Sequence, residues 1–359
     1  MTFTSLPGAV RTDGADAILH FGGLFAEQRS LASGGIVPRG DLAVLALSGS
    51  DRLSWLDSIS SQSVTGLTPG ASAETLILDP HGHIEHVLDL VDDGSTTWIV
   101  LPQSSRDTAL SWLNRMRFRA DVQIRDASAE VEVIGQLGDI AVDFEPMGFD
   151  SWVDPWPGVT TGGFAYAPSL ARWSARYWLV PHARVGELIT LLHDRHVPIA
   201  GILAWEALRI AAGRPAATDI DDRTLPHEFD WLRTAVHLNK GCYRGQETVA
   251  KVFNLGRPPR RSVILHLDGS DSIHVAPNDA VWAVKDGEPR EVGHVVAAGQ
   301  HWEFGPIALA LVKRAMPETE PVTVEHDGHH IAASQEVLVP SDAGPSVDIP
   351  RLPRIGSRP

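Results

Sequence analysis

The chain has 359 residues, of which 43% are hydrophobic, and a formal net charge of −15 from 45 acidic and 30 basic side chains. Single hydrophobic cores rarely exceed roughly 250–300 residues, so this length predicts two or three packed units. The acidic excess argues against general binding to phosphate backbones, and nucleic acid is therefore not the expected general partner.

Cysteine content and hydropathy indicate the compartment. Cys242 is the only cysteine, so neither an internal disulfide nor a Cys-x-x-Cys zinc site can form, and a reducing cytosol suits the chain. Residues 1–19 lack a basic start followed by an apolar stretch. The longest apolar run, at 42–47, is far below the roughly 20 residues of a membrane span. We expect a cytoplasmic protein without membrane segments.

The first two-thirds of the chain alternates strand and helix patterns. Residues 1–35 are predicted to precede the core, which we expect to begin near residue 36 with a buried strand at 42–47. Leu53, Leu56 and Ile59 then share one helical face. Antiparallel strands and a helix follow, and later a second strand and two more helices. The predicted strands are 75–78, 84–91, 97–101 and 177–180, and the predicted helices are 104–113, 185–192 and 202–212.

After residue 256 the pattern changes to short strands separated by Gly, Pro and Asp, which predicts a small β-barrel or sandwich over 257–340. Residues 341–359 are rich in Pro, Ser and Arg, and we expect a disordered tail. The predicted barrel strands are 263–267, 280–284, 292–297, 307–312 and 322–324.

The octapeptide K-G-C-Y-R-G-Q-E, residues 240–247, is the strongest candidate site. Gly241 and Gly245 could adopt positive φ on either side of Cys242, which would favour close approach to a ligand. A lone cysteine is often a small buried hydrophobe, but Lys240 and Arg244 would favour a reactive thiolate, provided that the side chain is accessible. Six basic residues lie between 240 and 261 against one acid, so the stretch is either a solvated basic turn or an anion site.

Histidine clusters offer only weak metal candidates. His83 and His86 should point to opposite faces of a strand, and the pairs at 193/196 and 329/330 lack carboxylate or cysteine partners. We therefore predict no metal site. Phosphate-binding glycine motifs, the G-x-S-x-G elbow and the H-E-x-x-H motif are absent from the sequence.

The octapeptide closely resembles the signature of the YgfZ-like folate-binding family, relatives of the glycine-cleavage T-protein tied to iron–sulfur cluster assembly and repair. Residues 206–215 resemble the L-R-x-x-A-G segment of T-proteins, 225–228 their P-x-E segment, and 293–312 part of their terminal barrel. The resemblance implies an α+β, T-protein-like fold. It assigns 36–256 to a folate-binding body of two interleaved subdomains, with the octapeptide loop facing a central cavity.

The resemblance also implies a function. It implies a monomeric accessory protein that binds tetrahydrofolate or a one-carbon derivative and supports iron–sulfur client or assembly proteins, with a link to tRNA modification. A client's cluster would be contacted only transiently. Arg209 corresponds to a substrate-binding arginine, and Glu206 is either a second ligand contact or its surface ion-pair partner. Cys242 is the functional thiol, and the other expected folate-binding residues are Lys240, Gly241, Tyr243, Arg244, Gly245, Gln246 and Glu247.

Two departures from T-proteins weigh against the alternative, a folate-dependent aminomethyl- or methyltransferase. The essential aspartate of a G-x-I-x-D-D stretch is missing at the apparent match, 82–87, and Glu85 or Asp89 fits only after a register shift. Residues 173–177 also replace a T-G-E-D-G stretch. The sequence leaves catalysis undecided and favours an accessory role.

Overall fold

The computed structural model describes residues 2–11, 17–138, 144, 147–168, 173–285 and 287–345. Their main β-structures are a five-stranded sheet, a four-stranded sheet and a closed six-stranded barrel. The strands are β1 (Val10–Arg11), β2 (Ile18–His20), β3 (Ile36–Pro38), β4 (Leu42–Ser48), β5 (Ser72–Leu78), β6 (Ile84–Asp92), β7 (Thr96–Pro102), β8 (Gln123–Asp126), β9 (Val131–Leu137), β10 (Asp150–Val153), β11 (Ala175–Pro181), β12 (Arg260–Leu267), β13 (Ala280–Lys285), β14 (Glu288–His301), β15 (Gly305–Lys313), β16 (Val322–His326) and β17 (His329–Val337). The α-helices are α1 (Leu24–Ala32), α2 (Arg52–Ile59), α3 (Arg106–Met116), α4 (Val185–Asp194), α5 (Ile202–Ala211) and α6 (Gln246–Leu255). The predicted α+β class with a C-terminal barrel is confirmed.

The five-stranded sheet has the antiparallel order β5-β6-β7-β4-β8. Its interior strand β4, between β7 and β8, is an apolar run because both of its faces are covered. Leu45 and Leu47 face the core under α2 and α3, whereas Val44 and Ala46 face the central core of the molecule. The strands predicted at 42–47, 75–78, 84–91 and 97–101 are confirmed.

The four-stranded sheet, β10-β11-β9-β3, packs its outer face against α4. Phe3 and Ile18 are buried in this same core, and Leu31 of α1 is buried in the central core. The Glu27 carboxylate accepts hydrogen bonds from three backbone N–H groups, those of residues 21, 23 and 201. The expectation that the core begins near residue 36 is therefore wrong, since earlier apolar side chains complete two cores.

Helix α5 connects the two sheets to the barrel. Trp205 and Ile210 lie in the central core with residues of both sheets and of the barrel. Gly213 follows the helix at φ +65°, as the predicted stop signal requires. Helix α5 therefore packs in the core that the two sheets share with the barrel.

The barrel closes in the order β12-β15-β14-β13-β16-β17 around an apolar interior. Strand β17 was not predicted, because His329 and His330 follow a turn-forming Asp327-Gly328 and were assigned to that turn. Ile331 and Ala333 nevertheless alternate inward, and the strand completes the closure.

The end of the chain lies largely outside the described residues. The predicted tail at 341–359 is described only to residue 345. Within residues 341–345, Ser341 N–H donates to Glu318 and Ala343 is buried. Across the part of the chain that is described, no helix combines the length and apolar character needed to cross a membrane.

Candidate functional site

A cavity of about 450 Å³ lies between the two sheets and α5. Such a volume falls within the range of small-molecule sites. The five-stranded sheet supplies acids from β5 and β6, the four-stranded sheet supplies aromatic rings, and α5 supplies Trp205. The polar and aromatic lining residues are Arg39, Asp41, Glu74, Asp89, Gln103, Ser104, Trp152, Asp154, Trp173, Tyr177, Trp205, Glu206, Arg209, Arg214 and Thr218.

Aromatic rings form one wall of the cavity. The Tyr177 ring stacks on Trp152 with centroids 5.0 Å apart, and Trp205 lies 5.6 Å from Tyr177. Trp173 meets Trp205 edge to face at 5.4 Å. The guanidinium of Arg39 lies over Trp205 at 4.9 Å and donates to Tyr177 Oη at 3.1 Å. The wall offers flat, polarisable faces whose orientation is fixed by packing.

Carboxylates form the opposite side. Glu74 and Asp89 are directly paired across β5 and β6, and both side chains point to the cavity face. Arg214 donates to Glu74 Oε1 at 2.8 Å and to Asp154 Oδ2 at 2.9 Å, so two acids share one buried arginine. The Trp173 indole N–H also donates to Asp154, at 2.8 Å. Glu74 and Asp154 are therefore both held by hydrogen bonds from buried protein donors.

Asp89 differs from these two acids. Its Oδ1 atom is buried and has no hydrogen-bond partner among the described residues. Loss of solvent, and then the neighbouring charge of Glu74, raise the pKa of Asp89 well above its usual value, although Arg214 opposes the shift. Asp89 therefore holds a proton more readily than an ordinary aspartate. Of the two acids that fit the T-protein pattern only after a register shift, Asp89 is the one in the cavity, because β6 turns its side chain inward with that of Val87.

Arg209 is placed at the cavity, but its donors are engaged. Its guanidinium donates to Glu206 Oε2 through Nε and Nη2, to both oxygens of Asp219, and to the Arg214 carbonyl oxygen. These five contacts match the five N–H groups of an arginine. A ligand carboxylate could pair with Arg209 only by displacing a protein acceptor, so this geometry favours a positioning role, and direct ligand contact stays a prediction.

Glu206 is more accessible than Arg209, with 32% of its side chain exposed. It pairs with Arg209 one helical turn away, as the ion-pair interpretation predicted. Because Glu206 also lines the cavity, its role in contacting a ligand stays open as a prediction.

Lys240 fixes the octapeptide loop to the body. Its ammonium group donates to the carbonyl oxygens of Asp57, Ser60 and Gln62 at 2.6, 2.9 and 2.7 Å, and only 4% of the side chain is exposed. The three N–H bonds of an ammonium group are thereby used. Burial lowers the pKa of Lys240, and the Asp57 charge opposes this change. Lys240 is a structural clamp in this arrangement, and its predicted contact with folate would require breaking the clamp.

The two glycines of the octapeptide behave differently. Gly245 has φ +81°, and a Cβ there would lie 2.5 Å from the Asp79 carbonyl oxygen. Gly82, at φ +84°, approaches Thr248 of α6 in the same contact. Gly241 adopts no positive φ, and a Cβ on it would contact nothing. The prediction of glycine-specific backbone is confirmed for Gly245 and wrong for Gly241.

The remaining octapeptide residues surround an exposed thiol. Cys242 is exposed, Tyr243 is buried, and Gln246 Nε2 donates to the Lys240 carbonyl oxygen at 3.4 Å. Glu247 lies in the first turn of α6, where a carboxylate is favourable. Cys242 meets the condition of accessibility on which its predicted reactivity depends, and the alternative of a buried hydrophobe is excluded.

Arg244 pairs with Glu85 at 2.6 Å and lies 5.8 Å from the Trp112 ring. Because Lys240 is clamped to carbonyls as well, both positive charges expected to act on Cys242 have other partners. The sequence argument for a charge-activated thiolate is weakened accordingly.

The loop and the cavity lie at different places along the β5–β6 hairpin. The loop packs against the hairpin turn at 79–82, whereas Glu74 and Asp89 stand further down the same strands. No residue of 240–247 belongs to the described cavity lining. The expectation that the loop faces the central cavity is wrong. A shallow groove of about 530 Å³, which includes Glu85, His86 and Trp112, lies beside the loop instead.

The basic stretch is also dispersed by folding. Arg260 pairs with Asp221 and Glu228, and Arg261 is buried in the barrel, where it donates to the Met316 carbonyl oxygen at 3.1 Å. With Lys240 and Arg244, four of the six basic side chains are engaged within the protein. The stretch is therefore not one continuous anion site.

Two histidines of the sequence clusters have local carboxylate partners. His83 Nδ1 lies 3.0 Å from Asp79 Oδ2, and His326 Nδ1 lies 2.8 Å from Asp279 Oδ2. In the described ranges no group of three metal-ligating side chains comes together.

Sequence reasoning missed the polar residues that define the cavity: Arg39, Glu74, Asp89, Asp154 and Arg214. One usable signal was present. Asp89 interrupts the apolar run V-L-D-L-V, and an acid within a buried strand is unusual unless it is paired or functional. Arg39 and Arg214 lie in connecting segments, where no apolar run surrounds them to mark them as unusual.

No protein-family model matches the chain. A chloroplastic protein of Arabidopsis thaliana named as a transferase is 43% identical over 77 residues, which cover 20% of this chain and 17% of that protein. The tRNA-modifying protein YgfZ of Colwellia psychrerythraea is 23% identical over 227 residues, which cover 63% of this chain and 69% of that protein. Aminomethyltransferase T of the glycine cleavage system from Bartonella henselae superposes with a TM-score of 0.73 over 92% of this chain and 94% of its own, at 19% identity.

The chain is similar to the YgfZ protein over 63% of its length and has the aminomethyltransferase T fold. The family resemblance and the fold predicted from the octapeptide are thereby confirmed. The match to the Arabidopsis protein spans less than a fifth of that protein's length, so it says little about the remainder of that protein.

Proposed function

We propose that this YgfZ-like protein binds tetrahydrofolate or a one-carbon derivative in the cavity between its two sheets. The observation that carries the proposal is the unpaired Asp89 carboxyl beside the aromatic wall of Trp152, Tyr177 and Trp205. A pterin ring is flat and carries N–H donors along one edge. Aromatic faces and buried acceptors are the complementary surface for such a ring.

Tryptophan fluorescence provides a direct test, because Trp152, Trp173 and Trp205 line the cavity. Titration with tetrahydrofolate under anaerobic conditions should quench emission saturably. Asp89→Asn should weaken binding about 10-fold or more, since it replaces an acceptor carboxyl by an amide. Glu85→Gln removes an acid outside the cavity and serves as the matched control. Equal affinities for Asp89→Asn and Glu85→Gln would contradict this site assignment.

The proposed role of folate binding is support of iron–sulfur enzymes, including those of tRNA modification, through the exposed Cys242 thiol. The family resemblance and the name of the Colwellia relative support this role. In cells lacking the protein, Cys242→Ala should fail to restore iron–sulfur enzyme activity while still binding folate in vitro. Full rescue by Cys242→Ala would remove the thiol from the function. Cytoplasmic location and a monomeric state belong to the same proposal.

A folate-dependent one-carbon transferase is the second candidate, and Asp89 favours it. A carboxyl whose pKa is raised by burial can hold or accept a proton in a cavity, which is what general acid–base assistance requires. Purified protein incubated with methylene- or methyl-tetrahydrofolate and an amine or thiol acceptor should then show turnover that Asp89→Asn abolishes. Absence of turnover in a protein that binds folate would leave the accessory role.

A further inference from the structure

The turn after α3 carries the sequence R-M-R-F-R, in which Arg115, Arg117 and Arg119 flank Phe118. Phe118 is 84% exposed, more than any other large hydrophobic residue among the described residues. Its φ is +44°, in the left-handed region. Helix α3 ends at Met116 and Arg117 is its C-cap, so Phe118 occupies the next position, where Gly or Asn is usual.

Neither the backbone conformation nor burial of the ring explains a phenylalanine at this position. A left-handed backbone costs a residue with a side chain about 1–2 kcal/mol, and an exposed ring recovers little by burial. Strained, exposed aromatic residues are candidates for function.

The three arginines are exposed, and two of them, Arg115 and Arg119, form no hydrogen bond or ion pair with described residues. Arg117 makes a single long contact, at 3.4 Å, to the Val122 carbonyl oxygen. The nearby Asp121 carboxylate is engaged with Ser50. The turn is thus a local concentration of available guanidinium groups on a chain whose net charge is −15.

We propose that this turn binds unpaired nucleotides of RNA, with a base stacked on Phe118 and phosphates paired with Arg115, Arg117 and Arg119. A ring that accepts any base face, surrounded by cations that track a backbone, is the usual arrangement for single-stranded nucleic acid. A membrane surface is less suited, since one aromatic ring buries too little apolar area for stable interfacial binding. The contact is local, so it is compatible with the absence of general nucleic-acid affinity.

The turn also lies on the side of the molecule that presents the octapeptide loop. Trp112 and Arg115 are three residues apart on one face of α3, and both line the groove beside the loop. Arg244 of the loop lies over Trp112. A nucleotide strand held at Phe118 could therefore continue along α3 toward Arg244 and the loop that carries Cys242.

The test measures fluorescence anisotropy of a short labelled single-stranded RNA with the full chain at low and at physiological salt. Phe118→Ala should weaken binding about 5- to 150-fold, the range for loss of one base stack, whereas Phe118→Trp should bind at least as well as the wild type. Phe118→Gly removes the ring and relieves the backbone strain, so its loss of binding cannot come from misfolding. Arg119→Ser should lower the slope of log affinity against log salt by about 1.

Matched controls come from other exposed positions. Phe304→Ala removes an exposed ring on the barrel, and Arg223→Ser removes an 81% exposed arginine; neither should change affinity. Lack of RNA binding by the wild type, or equal binding by Phe118→Ala, overturns the proposal, as does preference for double-stranded RNA or anionic vesicles. Folate affinity should be unchanged in all turn variants, so this inference and the proposed function fail separately.

Discussion

The two glycines of the octapeptide provide the sharpest test of how the loop is built. In Gly245→Ala, the methyl group meets a carbonyl oxygen at 2.5 Å and the backbone is left-handed at φ +81°. The left-handed conformation costs about 1–2 kcal/mol, and a clash with main chain that cannot move aside adds roughly 1–3 kcal/mol. We therefore expect Gly245→Ala to lower the free energy of unfolding by about 2–5 kcal/mol.

Gly241→Ala is the matched control within the same eight residues. A Cβ at Gly241 contacts nothing, and the residue has no positive φ. Alanine there restricts the unfolded chain, so the variant should match the wild type or gain up to about 1 kcal/mol.

Urea denaturation followed by tryptophan emission measures both variants, since the chain has 11 tryptophans. Equal stability of the two variants, or a larger loss in Gly241→Ala, would refute the assigned packing of the loop against residues 79–82.

Three further outcomes follow from buried groups. Lys240→Met should cost about 2–4 kcal/mol because it leaves three carbonyl oxygens without a donor; weaker folate binding at unchanged stability would instead show that Lys240 binds ligand. Arg209→Lys should cost about 3–5 kcal/mol, since lysine cannot span Glu206 and Asp219 together; thermal denaturation that matches the wild type would contradict this. His227 is fully buried, and burial lowers its pKa to about 4. The unfolded chain takes up that proton below pH about 6.5 and the folded protein only below about 4, so stability falls by up to about 3 kcal/mol over this interval. The difference between wild type and His227→Gln isolates this contribution, because the opposite-signed effect of Asp230, whose pKa burial raises to about 6, is common to both. A difference that does not change between pH 4 and 6.5 would rule out the assignment to His227.

The sequence predicted most elements because their signals are local. An apolar run gave β4, a three- and four-residue spacing gave α4 and α5, and turn residues separated the barrel strands. Strand β17 was missed because its first two residues are histidines that follow a glycine turn. The sequence left the exposure of Cys242 open, and the structure shows it.

The site could be predicted only in part. The family resemblance implied Arg209 as a ligand contact, yet its five donors are satisfied by partners up to ten residues away, which sequence spacing alone does not reveal. Lys240 was expected to act on Cys242, and instead it reaches back about 180 residues to carbonyl oxygens after α2. For Arg209 and Lys240 alike, the sequence identified the charge correctly but not the groups that pair with it.

By itself, the sequence determined the family resemblance, the α+β class with a terminal barrel, and the octapeptide as the strongest candidate site. Only the tertiary structure decided where the cavity lies and which residues line it. Arg214 joins Glu74, 140 residues earlier, to Asp154, 60 residues earlier. Local periodicity sets which face a side chain takes, but the distance between faces depends on how sheets and helices pack. That packing put Asp89 in the cavity and the Cys242 loop at the other end of the same hairpin.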